Sequence, residues 1–110
     1  GVLAAKEISR IACQAGIARH MGAQVGESGI LSAAGRAFAA AQDTFDNCEG
    51  SNNLFLLKTD ITRENLNVGP GGTGKLLSGD GLGVTILPKR LQSMVSGTTE
   101  SQLLAAHPTA

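Results

Sequence analysis

The chain has 110 residues, of which 42% are hydrophobic and only 3% aromatic, with neither Trp nor Tyr. Nine basic and nine acidic residues leave no net charge. This length fits a single domain, and the balanced charge argues against the clustered basic surface of proteins that bind nucleic acid. Since copies without net charge do not repel one another, we expect a protein partner, with a homo-oligomer as the leading form.

The apolar runs of the chain are short. None approaches the roughly 18 consecutive residues that cross a bilayer, so we expect no membrane span within the chain. The sequence begins with Gly1 rather than Met. This start is typical of a processed product or a fragment, in which a preceding signal or anchor is no longer visible.

The first predicted element is a helix over residues 2 to about 23. Apolar residues lie on two roughly opposite faces of this helix. The first face holds Ala4, Ile8, Ile11, Ala12, Ala15 and Ala18, and the second holds Leu3, Cys13, Ile17 and Met21. Because a helix that is apolar on two sides is normally covered on both, we expect it to be sandwiched within its domain or to place one face against another subunit.

A second predicted helix, from Ser28 to about Asn47, forms the centre of the predicted core. Its apolar residues recur every three or four positions, as Leu31, Ala34, Phe38, Ala41, Phe45 and Cys48. Ser28 is a good N-cap, and the polar turn residues that begin at Gly50 end the helix. Together with a short glycine-containing connection, the two helices predict a helical hairpin over residues 1–50.

The second half of the chain predicts strands. Residues 54–57 are a continuous apolar run typical of a buried strand, and residues 82–86 alternate as a half-buried strand does. Pro88 suits the start of a short helix, and the capping-box pattern of Thr99 and Gln102 predicts a last helical turn. The predicted fold class is α+β, with the N-terminal helical hairpin packed on a small, mostly antiparallel sheet and with short C-terminal helices. We expect a single domain over residues 1–110, in which residues 51–110 form the strand and loop region.

Residues 69–75 have the spacing G-x-x-x-x-G-K of a phosphate-binding loop. Leu76 stands where such a loop places a Ser or Thr hydroxyl on magnesium, and no strand or long helix is predicted around the motif. We therefore interpret these residues as a connecting loop and predict no cofactor. An atypical anion site is the alternative, in which backbone amides and one ammonium group would hold the ligand. Its candidate residues are Gly71, Gly72, Gly74 and Lys75.

Cys13 and Cys48 are the two cysteines of the chain, and they lack the C-x-x-C spacing of metal and redox sites. Each lies on one helix of the predicted hairpin. A disulfide between them would stabilise the fold by roughly 3–4 kcal/mol and would imply an oxidising compartment. The alternatives are two buried free thiols or one reactive thiol.

The sequence contains no arrangement that predicts catalysis. His20 and His107 are too far apart in the sequence to indicate a shared site. Asp43 with Asp46 is more typical of a solvated helix face than of an acid–base pair. No His, Cys or acidic cluster has the spacing of metal ligands. We therefore predict neither catalytic nor metal-binding residues, which favours a non-enzymatic role.

The leading functional prediction is a small structural or protein-interaction module that self-associates, and that serves as an extracytoplasmic assembly subunit. One alternative is a small protein or enzyme that binds an anionic or phosphate-bearing ligand at residues 69–75. Another is a secreted toxin or effector domain held together by the disulfide.

Overall fold

A computed structural model describes residues 1–42, 45–51 and 53–96, and these form helices together with one small sheet. The mixed α+β class predicted from the sequence is therefore confirmed. The helices are α1 (Val2–Gln14), α2 (Gly29–Ala40), α3 (Asn53–Leu56) and α4 (Pro88–Ser96), with a 3-10 turn at Pro70–Gly72. The strands are β1 (His20–Met21) and β2 (Asn47–Cys48).

Both N-terminal helices are shorter than predicted. Helix α1 ends at Gln14 because Gly16 takes a φ of 67°, a left-handed conformation that glycine adopts without strain and that commonly ends helices. Helix α2 begins after Ser28, as predicted, but ends at Ala40 rather than near residue 47. Residues 15–28, which include β1, separate the two helices, so the predicted short connection is wrong.

The sheet is parallel, and the prediction of a mostly antiparallel sheet is wrong. His20 pairs with Asn47, and Met21 pairs with Cys48. Helix α2 lies between the two strands in the chain. A parallel pair requires such a crossover connection, whereas a tight turn joins antiparallel strands.

The predicted strands of the second half are almost entirely replaced by other structure. The apolar run at residues 54–57 falls largely in helix α3, because a short apolar run has the same pattern in a strand and in a helix. Residues 82–86 contribute a single antiparallel bridge, between Thr62 and Ile86. The predicted helix that starts at Pro88 is confirmed as α4. The last predicted helical turn, over residues 101–106, lies outside the described residues.

Polar side chains dominate the interior of the described residues. The buried apolar residues are Ala33, Ile61 and Leu66, whereas the buried polar residues are Ser9, Ser32, Ser51, Asn53, Asp60 and Thr62. On the predicted core stripe, Phe38 and Phe45 are half-buried, with their ring centroids 5.7 Å apart. Leu31 on the same stripe is 54% exposed. The periodicity of the second helix therefore overstated how much of its apolar side is covered.

Two carboxylates hold the backbone around the small sheet. Glu49 Oε2 accepts a hydrogen bond from the Ala23 amide at 2.8 Å, and Glu49 Oε1 lies 3.4 Å from His20 Nε2. Asp46 Oδ2 accepts one from the Arg19 amide at 2.6 Å. The hydrogen bond from Ala23, and after it the one from His20, lowers the pKa of Glu49.

We predict that Glu49 makes the fold sensitive to acid. Because the pKa of Glu49 is lower in the folded chain than its ordinary value of 4.5, its ionised form stabilises the fold above that value, and this stability is lost as the pH falls through the folded pKa. Glu49→Gln should therefore show a smaller drop in melting temperature between about pH 6 and about pH 3. Asp80→Asn, in an exposed loop, is the control and should follow the wild-type curve. An equal drop in all three proteins would contradict the assignment.

Candidate functional site

A buried carboxylate connects the start of α2 to the segment that follows β2. Asp60 is 3% exposed, and its Oδ1 accepts hydrogen bonds from the Gly29 amide at 2.9 Å and the Thr62 amide at 3.3 Å. Its Oδ2 accepts one from Asn53 Nδ2. Since Gly29 is the first residue of α2, Asp60 takes the place of an N-cap side chain, at the end of the helix where a negative charge is favoured.

The hydrogen bonds beyond Asn53 have a fixed direction. Asn53 Oδ1 accepts from Ser51 Oγ at 3.1 Å, and Ser51 Oγ lies 2.7 Å from Ser32 Oγ. Because a carbonyl oxygen can only accept, the hydroxyl of Ser51 donates its one proton to Asn53. The hydrogen bond between the two serines must therefore be donated by Ser32. The chain of donors therefore begins at Ser32 and ends at Asp60. The oxygen of Ser32 keeps its capacity to accept a further hydrogen bond.

A cavity of about 260 Å³ lies beside this chain of hydrogen bonds. One wall is a single face of α2, because its lining residues recur at helical spacing. They are Leu31, Ser32, Gly35, Arg36 and Ala39. The other walls come from the two strands and the residues near them, from Glu27 just before α2, from Val68 and from the glycine-rich loop of residues 69–75.

Arg36 attaches the glycine-rich loop to α2. Its Nη1 donates to the Lys75 carbonyl and its Nη2 donates to the Leu66 carbonyl, both at 2.7 Å. Leu66 is fully buried, so one end of this connection is anchored in the interior. The planar guanidinium group suits such a double contact, which a lysine ammonium group would not reproduce.

The structure divides the predicted anion-site residues into two groups. Gly72 and Gly74 line the cavity, whereas Gly71 and Lys75 are not among its lining residues. The cation that does line the cavity is Arg36. Nothing in the sequence identifies Arg36, because one arginine on an Ala- and Gly-rich helix is also typical of a solvated surface.

The glycine-rich loop uses some of its own amides internally. The Gly69 amide donates to the Thr73 carbonyl at 2.8 Å, and the Gly72 amide donates to the Gly69 carbonyl at 3.1 Å. Gly71 and Gly72 take left-handed conformations, with φ of 71° and 74°. No α-helix follows the loop within residues 73–87, so the helix N-terminus that faces the anion in a phosphate-binding loop is absent from this segment.

Cys13 and Cys48 are free thiols in the structure, so the candidate disulfide is not formed there, and both thiols are exposed rather than buried. Cys13 lies near the end of α1, and Cys48 belongs to β2 instead of to α2, so the two do not face each other across a pair of helices. Cys48 lines the cavity beside α2, while Cys13 lines a separate groove.

The remaining sequence candidates do not assemble into a reactive centre in the described part of the chain. His20 pairs with Glu49, while Asp43 and His107 lie outside that part. Among residues 1–42, 45–51 and 53–96, no three His, Cys, Asp or Glu side chains are grouped to hold a metal ion. Within the same residues, none of the helices combines the length and the apolar character needed to cross a bilayer.

Comparison of the chain with protein-family models, with curated proteins and with solved structures found no match in any of the three. Its function is therefore inferred from its own contacts, chiefly the buried network, the cavity and the uncovered apolar surface.

We predict that Asp60→Asn destabilises the fold strongly. An asparagine at this position keeps one acceptor oxygen. Its NH₂ group would face either the Gly29 amide or the Asn53 amide group, each of which is itself a donor, so at least one hydrogen bond is lost. The loss of charged, buried hydrogen bonds should lower the free energy of unfolding by about 2–4 kcal/mol, measured by urea denaturation. Asp80→Asn, the exposed counterpart, should change it by less than about 0.5 kcal/mol. Equal stability of the two variants would show that the carboxylate does not anchor α2.

Two glycines of the same helix should respond oppositely to alanine. A Cβ at Gly29 would overlap Thr62 Oγ1 and lie 3.0 Å from Thr62 Cβ, whereas one at Gly35 would meet only Met21, at 4.0 Å. Gly29→Ala should lower the free energy of unfolding by about 1–3 kcal/mol through overpacking. Gly35→Ala should raise it by about 0.5–1 kcal/mol, since alanine favours the helix interior. Urea denaturation of both variants checks this, and similar changes in both would contradict the close packing of α2 against Thr62.

Proposed function

We propose that the protein is a structural or protein-interaction module that associates with a second copy of itself. The observation that carries the proposal is the excess of uncovered apolar surface. Fourteen large apolar side chains are exposed in the described residues, against three apolar residues that are buried.

Helix α1 provides the surface for this association. Ala4, Ile8 and Ile11 of α1 and Ala15, the residue directly after it, are all exposed, at intervals of four, three and four residues. This spacing forms the apolar seam of paired helices. The helix packs on the rest of the chain through another side, where buried Ser9 donates to Gln42 Oε1 at 3.0 Å. In the proposal, α1 is the outer arm of a helical hairpin with α2.

The seam has the symmetry that a two-fold interface requires. Its order Ala, Ile, Ile, Ala reads the same in both directions. If two α1 helices run antiparallel about an axis between residues 9 and 10, Ile8 of each copy meets Ile11 of the other, and Ala4 meets Ala15. The same surface thus serves both copies, as in most homodimers.

Charge does not oppose this pairing. Glu7 and Arg10 form an ion pair within their own helix, with Oε1 and Nη2 2.5 Å apart. With the same two-fold axis, Glu7 of one copy lies opposite Ala12 of the other, and Arg10 lies opposite Ser9. No like charges therefore face each other across the seam, and the chain as a whole carries no net charge.

The other functional predictions have less support. The toxin or effector hypothesis depended on a disulfide, and Cys13 and Cys48 are free thiols. The anion-binding hypothesis depended on loop amides, and the amides of Gly69 and Gly72 bond within the loop. The extracytoplasmic location stays a prediction, since no contact described above depends on the compartment.

We predict that glutamines in the seam prevent association. Sedimentation equilibrium from about 1 μM to about 1 mM should show the wild-type mass rising toward that of a dimer. The double variant Ile8→Gln/Ile11→Gln removes four isoleucines from the dimer interface, so its Kd should rise at least about 100-fold. Glutamine is a good helix former, so α1 itself should persist.

Leu3→Gln is the matched control. Leu3 is more exposed than either isoleucine, at 84%, but lies off the seam of the same helix. Its Kd should stay within about threefold of the wild-type value. A strictly monomeric wild-type protein at the highest concentration would overturn the proposal, as would an equal effect of the control.

A further inference from the structure

Two complementary groups lie one helical turn apart on the wall of the cavity beside α2. Ser32 and Arg36 are four residues apart, so their Cβ atoms are separated by about 5–6 Å on one face. Ser32 is 7% exposed and ends its hydrogen-bond chain with an oxygen that can still accept. Arg36 uses one N–H group of each terminal nitrogen to bond a backbone carbonyl. Because a guanidinium group has five N–H groups, others are left to bond a ligand. In the described residues, no carboxylate lies within ion-pair distance of Arg36.

The cavity also offers a negative charge and apolar walls. Glu27 is one of its lining residues, and the carboxylate of Glu27 accepts a hydrogen bond from the Gln24 amide at 2.7 Å. Met21, Leu31 and Val68 line it as well. One cavity thus combines a cation, a carboxylate, a neutral acceptor and apolar side chains, which is the mixture that small-molecule sites contain.

We propose that this cavity binds a free α-amino acid with an apolar side chain. The ligand carboxylate pairs with Arg36, and the ligand ammonium donates to Ser32 Oγ within the field of the Glu27 carboxylate. Both charged groups sit on one α-carbon, about 2.5 Å apart. With a hydrogen bond of about 2.9 Å at each end, one ligand can contact the hydroxyl of Ser32 and the guanidinium group of Arg36, which belong to the same face of α2.

The chemistry selects a zwitterion over simpler ligands. A plain carboxylate would bring no donor to the Ser32 oxygen and no cation to Glu27, and a plain amine would bring no acceptor to the remaining N–H groups of Arg36. The apolar side chain of the ligand then lies against Met21, Leu31 and Val68. None of the residues that line the cavity belongs to α1, so this binding and the proposed self-association can fail independently.

Isothermal titration of the full chain with three probes tests the ligand class. L-leucine carries both charges, 4-methylpentanoate lacks only the ammonium group, and 3-methylbutylamine lacks only the carboxylate. L-leucine should bind at least about tenfold more tightly than either analogue, since each analogue loses a charged hydrogen bond. The absence of heat with L-leucine at about 10 mM would overturn the proposal, as would equal binding of all three probes.

Variants locate the site. Ser32→Ala keeps the bond from Ser51 to Asn53 but removes the acceptor, so the Kd for L-leucine should rise about tenfold or more. Glu27→Gln should weaken the binding of L-leucine and leave the binding of 4-methylpentanoate unchanged.

A matched pair of leucine variants tests the cavity itself. Ala39→Leu fills the cavity and should abolish the binding of L-leucine. Ala40→Leu, on an exposed position of the same helix away from the cavity, should leave that binding unchanged. Wild-type binding by Ala39→Leu, with an unchanged unfolding midpoint, would overturn the assignment of the cavity.

Discussion

The fold depends on one carboxylate placed at the start of a helix. Asp60 accepts hydrogen bonds from the first amide of α2, from Asn53 at the start of α3 and from the Thr62 amide. Its own carbonyl accepts a further bond from Arg90 of α4, at 3.2 Å. Because three helices and Thr62 of the antiparallel bridge all bond to Asp60, through its carboxylate or its backbone carbonyl, the position of each is set by the others. The partial positive charge of the helix end favours the carboxylate there.

A centre made of hydrogen bonds has a consequence for the rest of the molecule. Hydrophobic burial is the main favourable term in folding, and it is small here because Ala33, Ile61 and Leu66 are the apolar residues buried in the described part of the chain. With few aromatic residues, the sequence has little material for a larger core. More than half of the large aliphatic side chains in the described residues are exposed instead, where a second copy can cover them. The proposed self-association on α1 follows from this distribution.

The cavity has a related origin in small side chains. Gly35 and Ala39 leave space on one face of α2. Arg36 donates to the Lys75 carbonyl in the glycine-rich loop and to the Leu66 carbonyl before it, and these two bonds hold the loop opposite that face. The loop that resembles a phosphate-binding motif in the sequence thus serves as a wall. The charges that face the cavity come from Arg36 and Glu27, which lie outside the motif.

The sequence by itself determined the features that depend on neighbouring residues. Ser28 precedes α2, Pro88 begins α4, and the glycines of residues 69–75 form a loop, because caps and turns are local. Tertiary structure alone decided the parallel pairing of the strands, the bond from Asp60 to Gly29 and the place of Arg36 in the cavity. These contacts join residues about thirty positions apart, and no local periodicity records which distant partner a side chain meets. Only the assembled chain brings the carboxylate of Asp60 to the end of a helix that Ser28 was expected to cap.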